Sequence, residues 1–217
     1  ATESSISDID GEKGILSYRG YSIEELAEKS TFEETAYLLL TGELPTKSEL
    51  EVFITKINAR RDLPEGLIKL LQTLPKDSNP MDVIQLAVSS LGTFYPIEFD
   101  AEKLKANKYT TEYFIDVSAG MIGSIGSIVA AWNRIKNNKN YIKPDNKLPY
   151  AENFMHMLDD SIKVTPLINR IIDATLILHA EHTINASTFT AMVTSSTLAS
   201  PTQVIASAIG SLSGPLH

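Results

Sequence analysis

The sequence repeats a signal for helix starts near its N-terminus. At three predicted helix starts a serine or threonine is followed three residues later by a glutamate. In such a pair the hydroxyl oxygen accepts a hydrogen bond from the third helical amide, and the glutamate accepts one from the amide of the hydroxyl residue. The pairs are Ser22 with Glu25, Thr31 with Glu34, and Thr46 with Glu49. Apolar residues at helical spacing follow them, so the sequence predicts a succession of short helices.

Further helices and one hairpin complete the predicted fold. Helices are predicted over about 64–74, 80–91, 110–136 and 153–158, and another begins at Pro166 and runs to His179. Three of them have proline in or just before the first turn, where its missing amide needs no partner. Between Ser5 and Gly20 two weakly alternating runs flank a turn rich in Asp and Gly, which predicts a β-hairpin and the only strand pair. The predicted fold class is therefore mainly α, multi-helical with a small N-terminal β-hairpin.

The run from Val117 to Trp132 contains no charged residue. A membrane span needs about 20 apolar residues, and Asp116 and Arg134 bound this shorter run, so we predict a buried helix and expect no membrane partner. Small residues such as Gly120 and Gly123 recur along it and would let another helix approach closely. Two interpretations of these small residues stay open: packing inside the domain, or a subunit interface. The interface interpretation predicts that Gly123→Leu weakens dimerisation.

Charge and composition exclude some partners. The net charge is −8 over 217 residues and no cluster of Lys and Arg is present, so neither nucleic acid nor an anionic membrane is expected. Charged residues gather in Glu98 to Lys108, which is predicted to be an exposed connection, and Lys136 to Pro149 is predicted to be a polar loop. The absence of cysteine fits a reducing compartment, so a cytoplasmic location is expected. An organelle matrix is the alternative location, although no targeting segment is visible in the sequence.

Three of the four histidines lie in the last forty residues. His179 and His182 stand at the end of a predicted apolar helix, and His217 is the final residue. Two apolar segments, separated by Ser200-Pro201, lie between them, and each would be roughly 20 Å long as a helix. An antiparallel pair would carry the chain out and back, so the spacing predicts that His217 returns close to His182.

Metal binding is one interpretation of these histidines. Zinc needs three or four ligands, and His179, Glu181, His182 and His217 are candidates, but the His-Glu-x-x-His spacing is absent. No metal site is therefore predicted. A histidine at the end of an apolar helix is commonly a satisfied core residue, which is the structural role predicted for His179. Polar residues follow His182, so a role in contacting a ligand is predicted for it.

Several strings along the sequence form one family pattern when taken in order. They are LILHAEHTINASTFTA and GPLH near the end, SSIS-x-IDG-x-x-GIL-x-YRGY-x-IEELA near the start, GELP at 42–45, NPM-DV-x-x-x-AVSSLG at 79–92 and YAENF at 150–154. In these strings the sequence resembles the citrate synthase family over nearly its whole length. Asn79 stands where the family commonly has histidine. The resemblance implies a large helical domain of citrate synthase type. It further implies that residues 1–217 are the incomplete N-terminal part of that domain, with the small domain and the C-terminal segment absent.

The resemblance also implies an activity and a division of roles. The implied enzyme is an acyltransferase that condenses acetyl-CoA with oxaloacetate and water to give citrate and CoA, the first step of the tricarboxylic acid cycle. His217 matches the catalytic histidine that hydrogen-bonds the thioester carbonyl and stabilises the enol or enolate. His182 and Asn185 match residues of the oxaloacetate pocket, and His179 matches the first histidine of the same motif. No metal or redox cofactor is implied, because the coenzyme A thioester is a substrate.

Several parts of that enzyme have no counterpart in the sequence. Oxaloacetate is a dianion that arginine binds well, yet from Ala151 onward the cations are Lys163 and Arg170. In the family, the aspartate base, a further histidine and the arginines lie beyond the position of His217, so this chain by itself is predicted to be inactive.

Assembly and specificity are the remaining expectations from the resemblance. It implies a homodimer or a multiple of dimers, formed through helices near 80–91, 110–136 and 201–212. Two alternatives stay open. One is a 2-methylcitrate synthase that uses propionyl-CoA, and the other is a non-catalytic helical fragment for binding or assembly.

Overall fold

The computed structural model describes residues 4–96, 102 and 110–217. These residues form ten helices and one small sheet, which confirms the mainly α fold. The strands are β1 Ser7–Asp10, β2 Ile15–Tyr18 and β3 Tyr21–Ser22; the helices are α1 Ile23–Lys29, α2 Phe32–Thr41, α3 Lys47–Asn58, α4 Glu65–Thr73, α5 Pro80–Phe94, α6 Thr111–Lys136, α7 Tyr150–Leu158, α8 Pro166–Leu178, α9 Ala186–Ser195 and α10 Pro201–Leu212. The predicted connection from Glu98 to Lys108 lies outside the described residues except for Glu102.

The sheet contains the predicted hairpin and one more strand. Strands β1 and β2 pair antiparallel, with Asp10 opposite Ile15, as predicted. The expectation of a single strand pair is wrong, because β3 pairs with β2. The two residues between β2 and β3 are Arg19 and Gly20, with φ of 51° and 89°. Positive φ at both central residues is what a type I′ turn requires, and this turn brings β3 back onto β2.

Two of the three predicted capping boxes are complete. At the starts of α2 and α3 the threonine hydroxyl and the glutamate carboxylate exchange hydrogen bonds with each other's backbone amides. At α1, Ser22 accepts from the amide of Glu25, but the carboxylate of Glu25 accepts instead from Lys29, at 3.2 Å. Asn79 caps α5 by accepting from the amide of Met81 at 2.9 Å, and Pro80 follows it in the first turn.

The main hydrophobic core lies where α4, α5, α6 and α10 meet. Leu67, Leu71, Val88 and Ile128 are fully buried in it, and each such side chain contributes about 1.5–3 kcal/mol. A second cluster joins the sheet to α1, α2 and α8; its buried members are Tyr18, Ile23, Leu26, Leu38 and Ile177. This second cluster brings the N-terminal sheet against the end of α8, where the histidine motif begins.

Helix α6 packs as the predicted buried helix. It is the one helix within the described residues that is long and apolar enough to cross a membrane, by length and composition only. In this fold it packs against α3, α5 and α7. A Cβ atom added at Gly123 would overlap the backbone carbonyl oxygen of Ile57, at the end of α3. The small residues at this point therefore serve packing within the chain, and the interface alternative for Gly123 is wrong.

Candidate active site

Helix α8 is fixed in place by polar contacts that the sequence did not reveal. Asp173 is buried and accepts a hydrogen bond from the amide of Phe32 at 2.9 Å and another from Arg170 at 3.0 Å. Burial raises the pKa of the Asp173 carboxyl, and both of these donors oppose that rise. The guanidinium of Arg170 also donates to the carbonyl oxygens of Ser30 and Ala27. Arg170 thus ties α8 to the end of α1.

His179 ends α8 as its C-terminal cap residue. Its ring Nδ1 lies 2.8 Å from the carbonyl oxygen of Thr175, one turn back. Helix-terminal carbonyls have no partner within the helix, so a side-chain donor there stabilises the end. The contact supports a structural role for His179. The expectation that its ring is part of the core is wrong, because the residue is exposed.

The loop from His179 to Asn185 is held by the N-terminal sheet. The hydroxyl of Tyr18 accepts a hydrogen bond from the amide of Glu181 at 3.2 Å. The carboxylate of Glu181 accepts from the hydroxyl of Ser7 at 3.1 Å and from the amide of Thr183 at 2.6 Å. Sequence reasoning missed the contacts from Ser7 and Tyr18 because each lies more than 160 positions from Glu181. Glu181 is thus bonded both to the sheet and to its own loop.

Asn185 caps the start of α9. Its Oδ1 accepts from the amide of Thr188 at 2.9 Å and from the hydroxyl of Ser187 at 2.7 Å. An asparagine in this position satisfies amides that would otherwise lack a partner, and it fixes the direction in which the helix leaves the loop. The residue predicted to support the oxaloacetate pocket therefore also sets the start of α9.

The predicted helical hairpin is present, and it returns the chain end to the start of α9. The side chains of Thr194, in the last turn of α9, and Ser207 in α10 meet at 2.9 Å. At the open end, His217 Nε2 lies 3.0 Å from the hydroxyl of Ser187 and 3.3 Å from its amide. His217 and Asn185 are thus brought together through Ser187.

His182 stands apart from that contact. Its ring is exposed, and it forms no hydrogen bond in the part of the chain that the structure describes. Among the described residues no hydrogen bond joins His182 to His217; His217 bonds instead to Ser187, five residues further along. Across residues 4–96, 102 and 110–217, no group of three His, Asp or Glu side chains is arranged to hold a metal ion.

The start of α9 has the chemistry of a site for an oxyanion or a polarised carbonyl. The helix dipole places a partial positive charge there, although the amides of Ser187 and Thr188 are already bonded to His217 and Asn185. Backbone amides only donate, so His217 Nε2 accepts from Ser187, and the proton of a neutral ring is then on Nδ1. That Nδ1–H is left to donate to a ligand. A dianionic ligand would need side chains with a full positive charge, and Arg170 is already bonded to Ser30 and Asp173.

The sequence is similar to a family model and to proteins of known activity. The family model described as citrate synthase, C-terminal domain, matches residues 1–217. A citrate synthase of Acidithiobacillus ferridurans is 44% identical over 217 residues, covering 100% of this chain and 55% of that protein. A 2-methylcitrate synthase 1 of Corynebacterium glutamicum is 39% identical over 219 residues, covering 98% of this chain and 55% of that protein.

Solved structures agree with the sequence comparison. The crystal structure of citrate synthase from Pyrobaculum aerophilum matches with a TM-score of 0.89 at 39% identity, covering 100% of this chain and 54% of that chain. The chain spans about half the length of the curated relatives it matches. Its fold therefore corresponds to a contiguous part of those larger proteins.

Proposed function

The chain belongs to the citrate synthase family, and we propose that it supplies the histidine side of an acyltransferase site that condenses acetyl-CoA with oxaloacetate and water. The products are citrate and CoA. The observation that carries this proposal is the contact between His217 and Ser187 at the start of α9.

In this proposal His217 acts on the thioester. Its Nε2 accepts from the Ser187 amide, so a neutral ring presents Nδ1–H to the thioester carbonyl oxygen. Loss of a proton from the adjacent methyl group moves charge onto that oxygen. A fixed donor aimed at the developing oxyanion stabilises the transition state by roughly 3–4 kcal/mol in comparable enzyme sites. The partial positive charge at the start of α9 would act in the same direction.

The proposed keto-acid side consists of His182 and Asn185. Asn185 is oriented by its hydrogen bonds at the start of α9, and the exposed ring of His182 is left to contact a ligand. Neither residue carries a fixed positive charge. Of the two cations between 151 and 217, Arg170 is committed to α1 and α8, which leaves Lys163. We therefore expect this chain alone to bind oxaloacetate weakly and not to catalyse the condensation.

A second candidate function uses a different thioester substrate in place of acetyl-CoA. The 39% identity to a 2-methylcitrate synthase favours propionyl-CoA as an alternative acyl donor. One additional methylene in an apolar pocket changes discrimination by only about 1–3 kcal/mol. Within the described residues His217 forms hydrogen bonds with Ser187 and Gly214, and neither has an apolar side chain that would line such a pocket.

A homodimer through α5, α6 and α10 is part of the proposal. A cavity of about 560 Å³, with an almost entirely apolar lining, lies between α6 and the turn that joins α9 to α10. Val117, Met121, Leu198 and Val204 are among the residues that line it. A second subunit packed on these helices would cover this apolar surface.

The test of the proposed function is reconstitution. The chain would be mixed with the complementary half of the Acidithiobacillus ferridurans relative, and thiol release from acetyl-CoA and from propionyl-CoA would be measured with oxaloacetate. We expect release only in the mixture, and a loss of at least about 100-fold in H217A, the scale of removing one oxyanion donor. H156A is the matched control, because His156 lies on α7, away from the site.

Two outcomes would count against the proposal. Thiol release by the chain alone, at a rate comparable to that of the intact relative, would show that the missing groups are not needed. Formation of a stable complex without any thiol release would instead favour the non-catalytic assembly role.

A further inference from the structure

Two residues of the N-terminal sheet face the loop that contains His182. Ser7 on β1 and Tyr18 on β2 are directly opposite each other in the antiparallel pair. Side chains of directly opposed residues project from the same face of a sheet, with their Cβ atoms about 4.5–5.5 Å apart. One cross-strand pair therefore presents two hydroxyl groups side by side to the end of α8.

The hydroxyl of Tyr18 bonds to both sides of the helix end. It donates to the carbonyl oxygen of Ile177, in the last turn of α8, at 3.1 Å. It also accepts from the amide of Glu181, beyond the end of the helix, at 3.2 Å. Tyr18 is fully buried, and burial raises the pKa of its hydroxyl, which keeps the group a donor at neutral pH. The turn between Ile177 and Glu181 is thereby closed by one side chain.

The carboxylate of Glu181 holds the loop at Thr183. A single oxygen, Oε1, accepts from the hydroxyl of Ser7 and from the amide of Thr183. Thr183 has φ of 65°, in the left-handed region that a β-branched residue rarely adopts. Such a conformation persists only where surrounding contacts hold it. The Glu181 carboxylate, oriented by Ser7, provides that contact.

His182 lies between the two residues that are held in this way. The amide of Glu181 on one side and the amide of Thr183 on the other are both bonded to fixed acceptors. The ring between them forms no hydrogen bond within the described residues. The point from which the His182 side chain leaves the backbone is thus fixed, because the flanking amides are bonded to Tyr18 and to Glu181.

We propose that Tyr18 and Ser7, acting through Glu181, are positioning residues that orient His182 for the keto acid. This inference rests on the proposed function of the site. None of the three touches the substrate. The N-terminal sheet is then part of the active-site architecture, although it lies at the opposite end of the sequence.

The test uses hydroxyl and carboxylate variants of the 217-residue chain. Y18F removes one hydroxyl and leaves the buried ring, S7A removes the other, and E181A removes the shared acceptor. E181Q and S7T restore an acceptor and a hydroxyl, respectively. Y21F and S17A are matched controls on the same sheet, because the hydroxyls of Tyr21 and Ser17 form no hydrogen bond in the described part of the chain.

Two readouts separate positioning from general stability. The first is a titration with oxaloacetate followed by the NMR signals of the His182 ring, which tolerates weak binding. The second is amide hydrogen exchange of residues 181–185, compared with the thermal unfolding midpoint. We expect Y18F, S7A and E181A each to weaken oxaloacetate binding about fivefold, the scale of one hydrogen bond. Exchange at Glu181 or Thr183 should accelerate, while E181Q, S7T and both controls should match the parent chain.

The outcomes distinguish this inference from the proposed function. Unchanged His182 signals, exchange rates and affinity in Y18F, S7A and E181A would overturn the positioning role. Equal losses in the Y21F and S17A controls would overturn it as well, since the effect would then be a general loss of stability. If the parent chain shows no oxaloacetate binding at all, the proposed keto-acid site is wrong. The exchange rates and the His182 ring signals would then still decide whether the sheet positions the loop.

Discussion

Glu33 shows how one residue joins distant parts of this fold. Its side chain is almost fully buried, with the residue 3% exposed, and its carboxylate accepts a hydrogen bond from the amide of Tyr150 at 2.7 Å. Burial raises the pKa of the Glu33 carboxyl, while the Tyr150 amide and the charge of Arg61 oppose that rise. Arg61 is also buried and donates to the carbonyl oxygen of Leu148. The start of α7 is thus held by charged groups from α2 and from the segment after α3.

The raised pKa predicts a specific pH dependence. At a pH between the ordinary carboxyl pKa near 4.5 and the higher pKa of Glu33 in the fold, the native chain keeps a proton on Glu33 that the unfolded chain has lost. The free energy of unfolding therefore falls as pH rises through this window, by about 1.4 kcal/mol for each unit of separation. E33Q keeps an acceptor for Tyr150 and does not titrate. We expect E33Q to gain stability relative to the parent chain as pH rises above about 4.5.

Urea unfolding of both proteins from pH 4 to 7 would measure this difference. The control is E65Q, since Lys69 lowers the pKa of the exposed Glu65 carboxyl. Because the pH window of that lowered pKa lies below about pH 4.5, the difference between E65Q and the parent chain should stay nearly constant over most of the range and change, with the opposite sign, only at its acidic end. A constant difference between E33Q and the parent chain across the range would contradict the assignment.

Such residues could not be identified from the sequence. Glu33 and Tyr150 are 117 positions apart, and Tyr18 and Glu181 are 163 apart. A glutamate beside a capping box and a tyrosine in a strand have ordinary local interpretations. Only the packing of α2 on α7, and of the sheet on α8, gives them partners. The candidate histidines were identifiable because the family motif marks them, whereas the residues that support them carry no local signal.

At the level of elements, local rules predicted the helices well. Capping residues and prolines act within one turn, so the starts of α2, α3, α5 and α8 follow from the sequence. The capping box at α1 is incomplete because Glu25 has Lys29 four residues later, a competing partner on the same helical face. Strand β3 was missed because two residues are too few to show an alternating pattern.

The crossing of α3 and α6 gives a prediction about glycine. At Gly123 an added methyl group would overlap a backbone carbonyl, which cannot move without displacing α3. At Gly120, one turn earlier, it would lie 3.2 Å from Cγ of Arg60, a side chain that can shift. We therefore expect G123A to destabilise the chain by about 1–3 kcal/mol. G120A should be neutral or stabilising by up to about 1 kcal/mol, because alanine is the better helix former.

Chemical denaturation of the two variants side by side would measure the contrast. Equal effects at the two positions would show that the helices separate easily, against the close packing described above. A change in molecular mass in G123A without loss of stability would revive the interface alternative for this stripe.

At the level of the whole molecule, the chain is a well-packed body with apolar surface on particular helices. Its principal core is closed by α4, α5, α6 and α10. Outside that core, Leu86 on α5 is 41% exposed, and Phe189 on α9 is 59% exposed. Large exposed apolar side chains such as these are what a second subunit would cover in the proposed homodimer.

A charge on α5 should separate the proposed homodimer. Leu86 lies on one of the helices assigned to the interface, and L86E would place a carboxylate there. In a twofold interface each substitution occurs twice, and burying an unpaired polar group costs at least about 2 kcal/mol. The combined cost of about 4 kcal/mol corresponds to a dissociation constant roughly 1,000-fold higher.

V52E is the matched control, because Val52 is 54% exposed on α3, outside the proposed interface. Light scattering over a concentration series would show L86E as a monomer where the parent chain and V52E are dimers, and identical masses for all three would contradict an interface that includes α5.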